Sequence, residues 1–183
     1  MPPDLPRGMK IKDHDFKAFI SEAQIQEAVQ AIATRINTDY KKKTPLFLPV
    51  LNGSFMFAAD VFRQLDIEAE ISFIKLASYK GTSSSGNIVT SIGLEENLQG
   101  RHIIIVEDII DTGKTLHAFL PEVLQRQPAS VKIAAFLTKP AALQFDVHAD
   151  YFCFEIDNKF VVGYGLDYDG LGRNLPELYI LKD

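Results

Sequence analysis

Three carboxylates in five positions, Glu107, Asp108 and Asp111, stand between an apolar run and a turn of small residues. The run is Ile103-Ile104-Ile105-Val106 and the turn is Thr112-Gly113-Lys114-Thr115. Four β-branched apolar residues predict a buried strand. The turn predicts entry into a helix, whose N-terminus offers backbone N–H groups to a phosphate. Carboxylates at a strand end accept hydrogen bonds from sugar hydroxyls and favour a hydrated Mg²⁺. Strand, acidic edge and phosphate-sized turn in one run together suit a sugar phosphate.

Gly113-Lys114-Thr115 also looks like the end of a Walker A loop, which needs a glycine five residues before its final Gly-Lys pair. That position is Asp108, a carboxylate that would repel the phosphates such a loop wraps. The blander reading of the segment is a buried strand ending in a capped turn. Asp111 also suits the N-cap of the following helix. Both roles for Asp111 stay open at this point.

These residues need elements to hold them. Ser21 with Gln24 forms a capping box and Ile20 with Ile25 a hydrophobic staple, predicting a helix over 21–37. Residues 46–51 predict a short apolar strand, Asn52-Gly53-Ser54 a turn, and 55–65 a helix. A strand over 68–77 sets Ile71, Phe73 and Lys75 against Ser72, Ile74 and Leu76. Residues 78–86 are polar, and 87–93 resume extended structure. The two strands predict a hairpin with a long tip, of the kind that often serves as a lid. Further expectations are a helix over 114–126 and strands over 131–137, 151–156 and 160–162. Residues 163–176, rich in Gly, Asp and Tyr, predict a ligand-shaping loop. Apolar strands alternating with helices imply an α/β fold with a mostly parallel sheet covered on both faces. In such sheets ligands sit at the carboxyl ends of the strands, so the turns after Leu51, Val106 and Leu137 converge on one crevice.

The chain has 183 residues, 46% of them hydrophobic and 23% charged, and one domain is expected. Its 19 basic and 24 acidic residues give a net charge of −5, which disfavours sequence-independent nucleic-acid binding. Cys153 is the only cysteine, so no internal disulfide forms, which fits a reducing cytoplasm. It lies in Tyr151-Phe152-Cys153-Phe154 and reads as a buried structural thiol. No apolar run approaches the roughly 20 residues of a membrane span. Met1-Pro2-Pro3-Asp4-Leu5-Pro6 lacks a signal-peptide core. A cytoplasmic protein without membrane partners is expected.

Val106-Glu107-Asp108-Ile109-Ile110-Asp111-Thr112-Gly113-Lys114-Thr115 resembles the signature of type I phosphoribosyltransferases, and more narrowly of the hypoxanthine-guanine phosphoribosyltransferases. The similarity spans roughly residues 45–180. It implies a single domain over 1–183, with a core of about 40–138 and a small hood from about 1–20 and 139–183. It implies transfer of the phosphoribosyl group of 5-phosphoribosyl diphosphate to a purine base, with Mg²⁺ as cofactor and pyrophosphate as the second product. A homodimer or homotetramer is implied as well.

The resemblance also implies roles. Glu107 and Asp108 meet the ribose hydroxyls, Glu107 through bound Mg²⁺, and Asp167 is a second Mg²⁺-associated carboxylate. Asp111 lies near purine N7 as general base or acid, a role a carboxylate within hydrogen-bond reach can fill. Thr112, Gly113, Lys114 and Thr115 cradle the 5′-phosphate. Lys139 contacts the exocyclic oxygen of a 6-oxopurine. A cationic donor suits a carbonyl and meets the 6-amino group of adenine badly, which favours hypoxanthine and guanine. Phe160 stacks on the base, Val161 reads its edge by backbone, and Arg173 holds pyrophosphate. Asn52 and Gly53 form the first pyrophosphate loop, with a cis peptide at Leu51–Asn52. Several relatives carry a basic residue at Asn52, so a side-chain salt bridge is not expected there. Ser78 and Tyr79 begin the closing loop.

Read without the resemblance, Lys139 is a solvated lysine after a strand and Phe160 a core aromatic. Asp167 and Arg173 are then ordinary loop charges. Two alternatives stand beside the transferase. An RNA-binding regulator on the same fold would need a basic surface. A xanthine-preferring transferase is not distinguished by Lys139.

Overall fold

A computed structural model describes residues 8–78 and 88–182, with backbone only for 77–78 and 88–92. In chain order the elements are β1 (Met9–Ile11), β2 (His14–Ile20), α1 (Glu22–Asp39), β3 (Leu46–Leu51), α2 (Phe55–Phe62), β4 (Glu70–Ile71) and β5 (Ile74–Ser78). Then come β6 (Ile88–Ile92), β7 (His102–Ile110), α3 (Lys114–Gln125), β8 (Ser130–Thr138), β9 (Tyr151–Glu155), β10 (Val161–Val162) and β11 (Leu178–Leu181). A single 3₁₀ turn, Pro140–Ala142, follows β8.

The main sheet runs β6-β5-β3-β7-β8-β9, with β4 also paired to β3. All its pairings are parallel except the β5–β6 hairpin. Parallel strands must be covered on both faces, and here one face carries α1 and α2 while α3 covers the other. On the first face Ile25, Val29, Ile32 and Ile36 of α1 and Phe57, Ala58 and Val61 of α2 pack against Phe47, Ile104 and Val106. On the second, Leu116, Phe119 and Val123 of α3 meet Leu48, Ile103 and Ile105. Alternate residues of one strand thus feed two cores. Each fully buried aliphatic side chain contributes about 1.5–3 kcal/mol.

The capping box at the head of α1 is present: Gln24 N–H donates to Ser21 Oγ and Gln24 Oε1 accepts from Ser21 N–H. The helix extends past the expected residue 37 to Asp39, and α2 stops short of 65 at Phe62. The expected strand over 68–77 is broken in two. Ser72 N–H still bonds to Phe47 O, but the chain leaves the ladder before Ile74 pairs with Val50. That break buries Ile74 and leaves Phe73 exposed.

A second, four-stranded sheet has the order β1-β2-β11-β10 and joins the two chain ends into a hood. Its pairings are antiparallel throughout. Phe16, Val162 and Tyr179 form its own small core with Ile11. β9 lies outside this hood, although it falls within 139–183: it pairs with β8 and extends the main sheet. Among the described residues no helix is long and apolar enough to cross a membrane.

Candidate active site

β7 is longer than its apolar run predicts. The strand continues through Glu107 and Asp108 to Ile110, so the acids sit inside the ladder. Glu107 pairs with Ala135 and Ile110 with Thr138 across to β8. Residues 107–116 line one continuous hollow of about 270 Å³.

Glu107 is buried, with 7% of its surface exposed. Burial raises its carboxyl well above the usual carboxylate range, and the neighbouring Asp108 charge adds to this. Asp108 is pushed up to about 6, first by burial. The Ile109 N–H, donated to its Oδ1 at 2.7 Å, and the nearby Arg173 charge act in the other direction. Buried Glu107 and half-buried Asp108 offer only oxygen donors, the kind a hard divalent cation such as Mg²⁺ takes. Among the described residues no group of three or more His, Cys, Asp or Glu gathers closely enough to cage a cation. Glu107, Asp108 and Asp167 therefore do not make one three-carboxylate site. Asp167 is engaged elsewhere: Oδ1 lies 2.6 Å from Arg173 Nη2, and Oδ2 accepts the Gly170 N–H at 2.7 Å.

The turn after β7 is shaped by Gly113. It is the N-cap of α3 with φ +78, and no side chain caps the helix. Asp111 is therefore not the cap. Thr112 Oγ1 accepts the Lys114 N–H at 3.3 Å. Lys114 and Thr115 are exposed at the mouth of the helix, where the macrodipole is positive.

Lys139 follows β8 and its backbone N–H bonds to Ile110 O at 2.9 Å, which folds it back over the end of β7. Its side chain is 8% exposed, not solvated. The Nζ lies 3.1 Å from Asp111 Oδ2. A buried ammonium requires such a partner.

The β3 turn meets this edge from the other side. The Leu51–Asn52 peptide is cis, as the resemblance implies. Asn52 is exposed and Gly53 buried. A Cβ at Gly53 would stand 1.4 Å from Asp108 Oδ2, so only glycine fits. The hood contributes the loop after β10. Arg173 Nη1 donates to Gly165 O at 2.7 Å. Phe160 is 44% exposed, contrary to the core reading of that ring, and its edge meets Tyr168 with centroids 5.8 Å apart. Val161 is buried in β10. Tyr79 and the side chain of Ser78 lie outside the described residues, as does the tip of the expected lid.

Gly165 is a site element the sequence reading passed over. A Cβ there would stand 2.0 Å from Gly53 O. Its signal was the Gly163-Tyr164-Gly165 spacing, in which all three residues adopt positive φ.

The sequence profile of the family described as "Phosphoribosyl transferase domain" matches residues 21–169. The chain belongs to this family. It is 42% identical over 168 residues to the hypoxanthine-guanine phosphoribosyltransferase of Streptococcus pneumoniae (strain ATCC BAA-255 / R6), covering 91% of this chain and 93% of the relative. It is 36% identical over 168 residues to the hypoxanthine-guanine-xanthine phosphoribosyltransferase of Tritrichomonas foetus, covering 91% and 92%. Among solved structures, a hypoxanthine-guanine phosphoribosyltransferase from Bacillus anthracis superposes with a TM-score of 0.85 at 35% identity. That match covers 91% of this chain and 97% of the other. A hypoxanthine phosphoribosyltransferase from Staphylococcus aureus gives 0.86 at 34%, covering 91% of each. The parallel sheet with flanking helices is thus the phosphoribosyltransferase fold, and the 107–116 hollow lies within the segment matched by the family.

Proposed function

We propose that this phosphoribosyltransferase transfers the 5-phosphoribosyl group of 5-phosphoribosyl diphosphate to a 6-oxopurine, hypoxanthine or guanine, in purine salvage. The observation that carries the reading is the buried Lys139 amine, 3.1 Å from Asp111 at the rim of a phosphate-sized turn. That pair presents a donor to a purine carbonyl and a carboxylate to a purine N–H, side by side.

The roles follow from the chemistry of each group. Backbone N–H groups of the 112–115 turn hold the 5′-phosphate. Glu107 and Asp108 accept from the ribose hydroxyls. Phe160 offers an open aromatic face to the base, and Val161 its backbone to the base edge. Arg173 meets the pyrophosphate as a bidentate donor, and the Asn52–Gly53 turn meets it with backbone N–H groups. Asp111 handles the proton lost from the purine as the new bond forms at N9. Glu107 and Asp108 would hold Mg²⁺, which needs only one or two carboxylates when phosphate oxygens fill its other positions, while Asp167 stays paired with Arg173. When bound, the metal neutralises charge on the departing pyrophosphate. Ser78 and Tyr79 would begin the loop that excludes water from the reacting ribose. A homodimer or homotetramer in the cytoplasm completes the reading.

Xanthine is a further candidate base, because the Tritrichomonas foetus relative carries it in its name. The test is nucleotide formation from 5-phosphoribosyl diphosphate with hypoxanthine, guanine, xanthine or adenine in turn. Inosine and guanosine monophosphate are expected, and chelation of Mg²⁺ stops both. Turnover of adenine in preference to 6-oxopurines would overturn the assignment of Lys139.

A further inference from the structure

One buried tyrosine lies behind the site and touches none of the groups placed in it. Tyr164 is 1% exposed and sits one residue before Gly165 in the hood loop. Its side chain leaves the hood and enters the main core, where its ring lies 4.7 Å from that of Phe136. The hydroxyl donates to Asp60 Oδ2 at 2.7 Å. Asp60 belongs to α2, the helix that starts directly after the Gly53 turn. The same Oδ2 accepts from Gln26 Nε2 of α1 at 2.8 Å. Tyr164 thus joins three elements, the hood loop, α1 and α2, through one carboxylate oxygen.

The backbone around Tyr164 transmits this anchor. Tyr164 has φ +48, between Gly163 at +110 and Gly165 at +99. Tyr164 N–H bonds to Leu175 O at 2.8 Å and Gly165 N–H to Arg173 O at 2.9 Å. The Arg173 guanidinium returns to Gly165 O and to Asp167. Gly165 in turn abuts Gly53, and Gly53 abuts Asp108. The 163–175 loop is therefore registered on the core at one polar point, behind the residues that face the crevice.

We propose that Tyr164 and Asp60 are positioning residues, whose hydrogen bond sets where Arg173 and Asp167 stand relative to Asp108 and the Gly53 turn. The inference rests on the reading above that Arg173 and Asp167 serve the diphosphate. In that reading neither Tyr164 nor Asp60 is a ligand contact: the Tyr164 hydroxyl is bonded to Asp60, and Asp60 also to Gln26 and Arg63. A phenol is needed because its reach spans from the hood backbone to α2. Asp60 is suited because one oxygen accepts from both Tyr164 and Gln26.

The test uses the full chain, with inorganic pyrophosphate and Mg²⁺ as probe in titration calorimetry. Steady-state turnover with 5-phosphoribosyl diphosphate and hypoxanthine runs beside it. Y164F keeps the ring and its packing, so folding is retained. Y164F weakens pyrophosphate binding and raises KM for 5-phosphoribosyl diphosphate by about fivefold to tenfold, the effect of one lost buried hydrogen bond, and D60A, which also frees Gln26 and Arg63, does so by at least as much, with KM for hypoxanthine within about twofold in both. D60N retains an acceptor oxygen and stays within about twofold of the parent protein. The Y164F/D60A double variant is no worse than D60A alone, because D60A already removes the Tyr164 bond together with those to Gln26 and Arg63.

Unchanged pyrophosphate affinity in Y164F and D60A overturns the inference, even if thermal stability falls. So do additive losses or an equal rise in both KM values. A parent protein that binds pyrophosphate yet turns over no base removes the proposed function and leaves the variant comparison readable. A parent protein that binds no pyrophosphate overturns the role of Arg173 and this inference with it.

Discussion

Lys139 and Asp111 are charge partners across the ends of β8 and β7, with Nζ and Oδ2 3.1 Å apart. The lysine side chain is nearly sealed, and the aspartate is about half open to the hollow. The ammonium keeps two further donor positions, so it can meet a ligand carbonyl without releasing the carboxylate.

Lys139→Ala removes that donor and leaves Asp111 unpaired at a partly buried edge. KM for hypoxanthine should rise by about tenfold to a hundredfold, in line with a lost charge-assisted bond. The KM for 5-phosphoribosyl diphosphate should change little. Steady-state kinetics with each substrate varied in turn check this, and equal losses for both would count against base recognition.

Asp111→Ala should act on turnover instead. Removing a positioned proton acceptor lowers kcat by about 10²–10⁴-fold. Equilibrium binding of inosine monophosphate should survive, because the 112–115 turn keeps its backbone donors. Since Gly113 occupies the helix cap, no cap is lost, but the Lys139 ammonium loses its partner and the melting temperature should fall alongside kcat. A large fall in melting temperature with kcat intact would place Asp111 in the scaffold.

Gly53→Ala tests the tightest approach in the site. Its methyl group would fall on Asp108, and the Asp108 carboxylate cannot retreat freely while it accepts the Ile109 N–H. Either the turn or Asp108 must shift. A displacement of that order costs about 10²-fold in kcat/KM. Normal kinetics in this variant would show that the turn and Asp108 are not jointly needed.

Much of this geometry is legible in the sequence. Ile103 to Val106 announce a strand because β-branched residues fit a doubly covered pleat. Ser21 and Gln24 announce a helix because their bonds are local. What escapes is non-local. The run of β2 mixes Lys17, Ala18 and Phe19, and its partner β11 lies some 160 residues away in sequence, so the hood sheet leaves only a faint pattern. β7 continues through Glu107 and Asp108 because β8 supplies the ladder, and no pattern within 103–110 reveals that. Lys139 reads as a surface residue until Ile110 and Asp111 are placed against it. Tyr164 reads as part of a polar loop until Asp60 is found behind it.

Cys153 offers a check on burial that is independent of catalysis. Its thiol is half-buried against the α1 and α2 core, and burial pushes it up to about 12. An unfolded thiol ionises near about 8.5. The folded state therefore favours the neutral thiol, and that contribution is lost as pH rises from the unfolded value through about 12. At pH 8 the native protein should resist iodoacetamide, whereas the denatured chain reacts quickly. Mass spectrometry after timed labelling reads the difference, and equal rates in both states would refute it.

The carbonyl of Thr112 accepts the N–H groups of both Gln144 and Phe145, at 3.0 and 3.2 Å. These belong to the segment that leaves Lys139, so the 112–115 turn and the 140–145 stretch share one hinge pin. Loosening either end should be felt at the other. Insertions between Lys139 and Gln144 would then damage selectivity for the sugar phosphate as well as for the base.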